Sequence, residues 1–162
     1  MSHTVYFLDA SALVKRYAVE RGSAWVESIA NAKSDNVIAI AQVTLAEVAA
    51  ALASKLRGQF MTGDEFERAV EDLLHDAFES FTLIEVDQQV VMRAVAVVRR
   101  QSLRGYDAIQ LACGLMLNDT LIAAEELPLI FVTADKTLLS AAQAEGLQAE
   151  DPNDRLDWFS TY

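Results

Sequence analysis

Apolar residues recur along the chain in two alternating rhythms: short continuous runs, and longer stretches spaced by three and four. Thr4 to Leu8 is β-branched and aromatic and predicts a buried strand ending at Asp9, with a helix over Ala10 to Val19 behind it. A second helix over Ser23 to Ala32 precedes a strand over Asn36 to Ala41. From Gln42 to Leu56, the residues Leu45, Val48, Ala49, Leu52 and Leu56 share one helical face, and that helix ends near Gly58. Thr62, Asp64 and Glu65 make an acidic helix start, continued by Phe66, Val70, Leu73, Leu74 and Phe78, and Phe81 to Val86 follows as a strand. Asp87 to Gln101 reads as a helix with a basic end at Arg99 and Arg100. After a break at Gly105, Tyr106 to Leu117 reads as a more apolar one. Leu129 to Val132 is a strand, Lys136 to Glu145 a helix stopped by Gly146, and Leu147 to Ala149 a last short strand. This alternation predicts an α/β fold of three layers, α/β/α, around a central, mainly parallel sheet of about five strands.

A length of 162 residues with 52% apolar content suits one compact domain over residues 1–162. Two prolines and six glycines leave no linker or low-complexity run, and no repeat is visible. The start at Met1 to Leu8 lacks the basic and long apolar parts of a signal peptide, and no run reaches the length of a membrane span. A cytoplasmic protein with no membrane partner is expected. The single Cys113 lies in an apolar run and reads as buried filler. A net charge of -11 argues against a general nucleic-acid binder, which carries a basic surface, so any RNA site must be local and cation-assisted.

The candidate chemistry lies in where the acids stand. Asp9 is the only charged residue from Thr4 to Val14, and Glu47 the only one from Val37 to Ser54. Asp107 is the only one from Gly105 to Asn118, and Asp135 is the first after Leu127 to Ala134. A carboxylate in apolar surroundings loses hydration unless it is paired, protonated or bound to a cation. Asp9 and Asp135 fall at carboxyl ends of predicted strands, and Glu47 and Asp107 in early turns of helices. In an open parallel sheet, that edge is where ligands bind. Four acids converging there call for a hard cation with oxygen ligands, Mg2+ or Mn2+.

Each acid also has a plainer reading. Asp135 suits an N-cap, Asp107 suits a helix dipole, and Asp9 suits a cap too, although Ser11 is available for that task. Glu47, about a turn inside its helix among apolar neighbours, is the hardest to explain as structure.

The segments Phe7-Leu8-Asp9-Ala10-Ser11-Ala12-Leu13-Val14, Thr44-Leu45-Ala46-Glu47-Val48, Leu103-Arg104-Gly105-Tyr106-Asp107-Ala108-Ile109-Gln110-Leu111-Ala112 and Phe131-Val132-Thr133-Ala134-Asp135-Lys136 occur in an order and spacing that resembles the PIN-domain family, and in particular the VapC-type toxins of toxin-antitoxin pairs. The resemblance implies a PIN-like fold in which Asp9, Glu47, Asp107 and Asp135 are the family's four acids. It further implies a Mg2+- or Mn2+-dependent endoribonuclease, usually a homodimer, restrained by a small antitoxin. Sequence around Asn118 to Pro128 and an aromatic tail at Trp158, Phe159 and Tyr162 are departures from the family pattern.

On this reading Asp9 and Asp107 bind the metal most directly, with Asp135 and Glu47 completing its shell through water or orienting a second ion. Ser11 and Thr133 stand two residues from Asp9 and Asp135, where their hydroxyls either hold a carboxylate or phosphate oxygen or, for Ser11, cap a helix. Arg104 and Lys136 either contact phosphate, neutralise the pocket or sit solvated. Lys15, Arg16, Arg99 and Arg100 are candidates for a basic rim. His3 and His75 fit no metal-ligand spacing, and Trp25, Phe66, Phe78 and the tail aromatics read as core or dimer packing. The alternatives are a catalytically silent PIN-like domain that holds RNA or a partner, and an aspartate-dependent phosphatase. The phosphatase wants a second acid where Ser11 stands, and a phosphoryl-accepting receiver has no place for Glu47.

Overall fold

A computed structural model describes residues 3–155, so the tail at Trp158, Phe159 and Tyr162 lies outside the described residues. Among these, five strands form one sheet: β1 (Val5–Leu8), β2 (Val37–Ala41), β3 (Thr82–Ile84), β4 (Ile130–Val132) and β5 (Gln148–Glu150). The order is β3-β2-β1-β4-β5 and every pairing is parallel. The chain therefore builds outward from β1 to β3 on one side, then returns to lay β4 on the other side of β1. β1 is the strand where the winding reverses, and ligands of open α/β sheets bind beyond the carboxyl ends of strands at such a point.

Among the described residues, seven α-helices cover the sheet: α1 (Ala10–Leu13), α2 (Ser23–Ala30), α3 (Thr44–Arg57), α4 (Gly63–Glu79), α5 (Gln88–Val98), α6 (Gly105–Ala123) and α7 (Lys136–Ala144). Successive side chains of a strand point to opposite faces. Phe7, Ala39, Ala41 and Phe131 accordingly pack with Val90 of α5, Leu111 of α6 and Leu138 of α7. Leu8, Ile38, Ile40 and Val132 pack with Leu13, Val26, Val48, Leu52 and Leu73 of α1 to α4. These two cores make the three-layer α/β/α arrangement that the alternation predicts. Cys113 is buried in the first core, as expected.

On the α6 side, the rings of Phe7 and Phe131 stack with centroids 5.4 Å apart. Gly114 lets α6 reach that stack, because a Cβ there would stand 2.8 Å from the Phe131 ring. Gly114→Ala is expected to destabilise the fold by about 1–3 kcal/mol through overpacking, despite the better helix propensity of alanine. Urea unfolding checks this, and an unchanged or raised midpoint would refute it.

Local boundaries differ from the sequence pattern by a few residues at several elements, α5 for example ending at Val98 and leaving Arg99 and Arg100 beyond it, and the differences at α1 and α6 have identifiable causes. α1 ends at Leu13 and passes into a 3-10 turn over Val14–Arg16 rather than running to Val19. There the chain turns so that Arg16 Nε and the Tyr17 hydroxyl both donate to Asp76 of α4, at 2.8 and 2.7 Å, and Val19 is left in solvent. α6 continues past Leu117 to Ala123, through the stretch that begins at Asn118. Leu121 packs on the first core, and Asn118 accepts from the Leu129 N–H at 3.0 Å, which fastens the helix end to the entry of β4. Gly105 is the first residue of α6, not a break before it.

The acidic start of α4 is a full capping box, in which Thr62 accepts from the Glu65 N–H and Glu65 from the Thr62 N–H. Gly146, at φ +94°, ends α7. Trp25 meets Tyr6 edge to face and carries the Arg155 guanidinium 5.2 Å from its ring, whereas Phe78 is exposed rather than core. Phe66 is half-buried against the second core, and His3 and His75 are on the surface. Among the described residues, no helix is long and apolar enough to cross a membrane.

Candidate active site

Asp9 follows β1 directly, and its backbone N–H donates to the Val132 carbonyl of β4 at 3.1 Å, which fixes it between the two strands. Its extended backbone makes it the N-cap of α1, with Oδ1 accepting from the Ala12 N–H at 2.9 Å. The cap is thus Asp9 and not Ser11. Ser11 instead donates from Oγ to Asp9 Oδ1 at 2.7 Å and accepts from the Ala134 N–H at 2.9 Å. Thr133, fully buried, donates to Asp9 Oδ2 at 2.6 Å and accepts from the Asp135 N–H at 3.1 Å. Two hydroxyls therefore lace the ends of β1 and β4 together around one carboxylate.

Burial pushes the Asp9 carboxyl up to about 6, although hydrogen bonds from Thr133, Ser11 and Ala12 oppose the shift; the charge of Asp107 adds to it. No described ion pair includes Asp9, Glu47, Asp107 or Asp135. Asp135 is exposed and N-caps α7, with Oδ1 accepting from the Leu138 N–H at 2.9 Å. Both strand-end acids are caps and remain acids facing the sheet edge, so the two readings of each are compatible.

Asp107, in the first turn of α6, is half-buried, and its carboxylate accepts no hydrogen bond from the described residues. Burial and then the Asp135 charge raise its pKa, while Arg104 opposes them. Glu47 of α3 is raised by burial and by Asp107, against a hydrogen bond from Gln110. Asp107 is thus the common neighbour, coupled electrostatically to Asp9, Glu47 and Asp135. The four acids gather at one edge but do not close into a cage: among the described residues, no three His, Cys, Asp or Glu side chains form a ready metal cluster. Each acid is held on its own element, and like charges without a counter-charge do not draw together.

A polar pair behind the acids escapes a reading based on charge. Gln110 is 1% exposed and Thr44 0%; Gln110 Nε2 donates to Thr44 Oγ1 at 2.7 Å and to Glu47 Oε1 at 2.9 Å, while Gln110 Oε1 has no partner. Gln110 lies three residues after Asp107, and Thr44 three before Glu47, so each shares a helix face with an acid. That spacing, together with an amide inside the apolar run of α6, is the signal that could have found them.

The basic candidates separate clearly. Arg104 is exposed, precedes α6, and makes no ion pair among the described residues. Lys136 is held by two other acids, with Nζ 2.6 Å from Asp151 and 3.3 Å from Asp154. Lys15 pairs with Glu20, Arg16 with Asp76 and Arg100 with Glu145, so these three form no rim around the site. Arg99 is exposed and makes no ion pair among the described residues. A cavity of about 470 Å3, lined by Ser102, Leu103, Arg104, Asp107, Asp135 and Thr137, opens in front of Asp107 and Asp135.

Comparison with known proteins identifies the family and the fold. A family model described as PIN domain matches residues 6–143. Ribonuclease VapC45 of Mycobacterium tuberculosis strain CDC 1551 and Ribonuclease VapC49 of strain H37Rv are each 35% identical over 144 residues, covering 88% of this chain and 91% of the relative. Among solved structures, FitAcB from Neisseria gonorrhoeae superposes with a TM-score of 0.60 at 16% identity, over 93% of this chain and 99% of that one. PAE2754 from Pyrobaculum aerophilum does so at 0.57 and 23% identity, over 90% and 83%. VapBC2 from Rickettsia felis, solved with a promoter DNA fragment, does so at 0.56 and 14% identity, over 91% and 98%. On the family match, the identity and the shared fold, this chain belongs to the PIN-domain family.

Proposed function

We propose that the chain is a divalent-metal-dependent endoribonuclease, a single nuclease domain over residues 1–162, acting as the toxin of a type II toxin-antitoxin pair. The observation that carries this reading is Asp9: a buried carboxylate raised to about 6, coupled to Asp107 and lacking an ion-pair partner among the described residues. The two Mycobacterium tuberculosis relatives are named ribonucleases, which supports RNA as the substrate. The toxin-antitoxin complex from Klebsiella pneumoniae shares the fold, in keeping with an antitoxin partner.

The donor set suits a hard cation. All four acids offer oxygen, and neither histidine nor cysteine stands among them. Asp9 and Asp107 would hold Mg2+ or Mn2+ most directly, with Asp135 and Glu47 completing the shell or orienting a second ion. When bound, such a cation lowers the pKa of a water for attack on phosphorus and offsets charge on the phosphate oxygens. The protein's own groups then have separate tasks. Thr133 and Ser11 favour the ionised form of Asp9 by donating to both of its oxygens, and Gln110 orients Glu47. Arg104 is placed to meet a phosphate, whereas Lys136 is committed to Asp151 and Asp154. A homodimer in the cytoplasm, with RNA and a small antitoxin as partners, completes the proposal.

The test incubates purified protein with structured RNA in Mg2+, in Mn2+ and in EDTA, alongside Asp107→Asn. Cleavage in either metal, abolished by EDTA and reduced at least ~100-fold in the variant, is expected. Equal cleavage by the variant, or none by the wild type, would sink the proposal.

A further inference from the structure

The cavity in front of the acids does not end at them. Ser102 and Thr137 line it and also line a second cavity of about 600 Å3 that runs along α7 past Ser140 to Ala144. Thr137, Ser140, Ala141 and Ala144 share one helical face, and a helix rises ~1.5 Å per residue, so this wall is about 10 Å long. The opposite wall is the segment between α5 and α6. The far end is tied shut where Arg100 Nε and Nη2 grip the two oxygens of Glu145 at 3.0 Å each and Gln101 adds a third bond. The result is a continuous trench that starts at Asp107 and Asp135 and leads away from them.

Its lining is unusual for a chain of net charge -11. Beyond Asp107 and Asp135 the wall residues include no acid, and the nearby Glu145 is neutralised by Arg100. Arg104, the cation at the acid end, is uncommitted among the described residues. The hydroxyls of Ser102, Thr137 and Ser140 make no hydrogen bond among the described residues, whereas those of Ser11 and Thr133 at the acids are fully engaged. No aromatic ring lines either cavity, so stacking is not what the trench offers. It offers free hydroxyls along a corridor whose one further cation, Lys136, is held by Asp151 and Asp154, so a polyanion meets no acid on the walls beyond Asp107 and Asp135.

We propose that this trench seats the nucleotide beside the scissile phosphate, with the hydroxyls of Thr137 and Ser140 hydrogen-bonding its ribose 2′-hydroxyl, the group that distinguishes RNA from DNA. The inference rests on the nuclease reading for the position of the scissile phosphate. It assigns to α7 a part in substrate choice separate from the part its N-cap Asp135 plays at the acids.

The experiment measures binding of a fluorescent oligoribonucleotide in Ca2+, and its cleavage in Mg2+, for wild type, Thr137→Val, Ser140→Ala, the double variant and Thr137→Ser. Oligomers carrying one 2′-deoxy residue are walked through the cleavage site. Each hydroxyl removed is expected to weaken binding and raise KM about fivefold with little change in kcat, and Thr137→Ser to restore it. One deoxy position should weaken wild type but not the double variant, as groups in direct contact behave in a double-mutant cycle. Unchanged affinity in the double variant, a deoxy penalty that persists in it, or no binding of the oligomer overturns the inference. Wild type that binds with this deoxy signature yet cuts nothing in Mg2+ overturns the nuclease reading alone.

Discussion

Asp9→Asn is expected to abolish metal-dependent RNA cleavage, at least ~100-fold, while making the metal-free fold more stable above pH 6. The two effects share one cause. In the folded chain the Asp9 carboxyl is raised from 3.8 to about 6, chiefly by burial, so folding takes up a proton between those values. A raised carboxyl means that stability is lost as pH rises through the folded value, and the shift corresponds to roughly 3 kcal/mol at pH 8. Asparagine is as good an N-cap as aspartate, can still accept from Ala12, and carries no charge to desolvate. Thermal melts in EDTA should therefore show Asp9→Asn above wild type at pH 8, with the gap narrowing as pH falls below about 6 and closing only near the unfolded value of 3.8. Mg2+ should raise the wild-type melting point more at pH 8 than at pH 5 and leave the variant unmoved. A variant that melts below wild type at pH 8 would mean that Asp9 is a structural group and not an acid held for a cation.

Thr133→Val should lower kcat about 10–100-fold, as loss of a group that orients a metal ligand commonly does. The valine matches threonine in shape but withdraws the 2.6 Å bond to Asp9 Oδ2 and the acceptor for the Asp135 N–H. Of the bonds that hold the Asp9 pKa down, that from Thr133 is the strongest. Its loss should move the acid limb of the pH–rate profile upward, and Thr133→Ser should return the limb to its place. A profile displaced in rate but not in pH would show that Thr133 only packs between β1 and β4.

Much of this arrangement was legible from residues alone, for identifiable reasons. Asp9, Glu47, Asp107 and Asp135 stood out because an isolated charge in apolar sequence has to be explained by what it meets in the fold, and all four do gather at the carboxyl edge of the sheet. The strands were legible because a sheet covered on both faces makes continuous apolar runs, as in Val37–Ala41 and Ile130–Val132. What was not legible depended on partners distant in sequence. Whether Lys136 served the acids was decided by Asp151 and Asp154, and the end of α1 was decided by Asp76. Gln110 and Thr44 are neutral and carry no charge signal in the sequence, although their bonds join α3 to α6 directly behind the acids.

The lacing of Asp9 to Thr133 also has a consequence in time. The two residues are 124 positions apart, and β4, which flanks Asp9, is the fourth strand to be made. At about 5–20 residues per second, a ribosome needs roughly 6–25 s to deliver that stretch after Asp9 has been added. Through that interval the nascent chain can assemble β1, β2 and β3 with α1 to α4 around them, yet Asp9 has neither its neighbouring strand nor the hydroxyl on its second oxygen. The proposed activity therefore waits on β4: a nascent chain that has laid down only its first three strands is not able to cut RNA, however well those strands are folded.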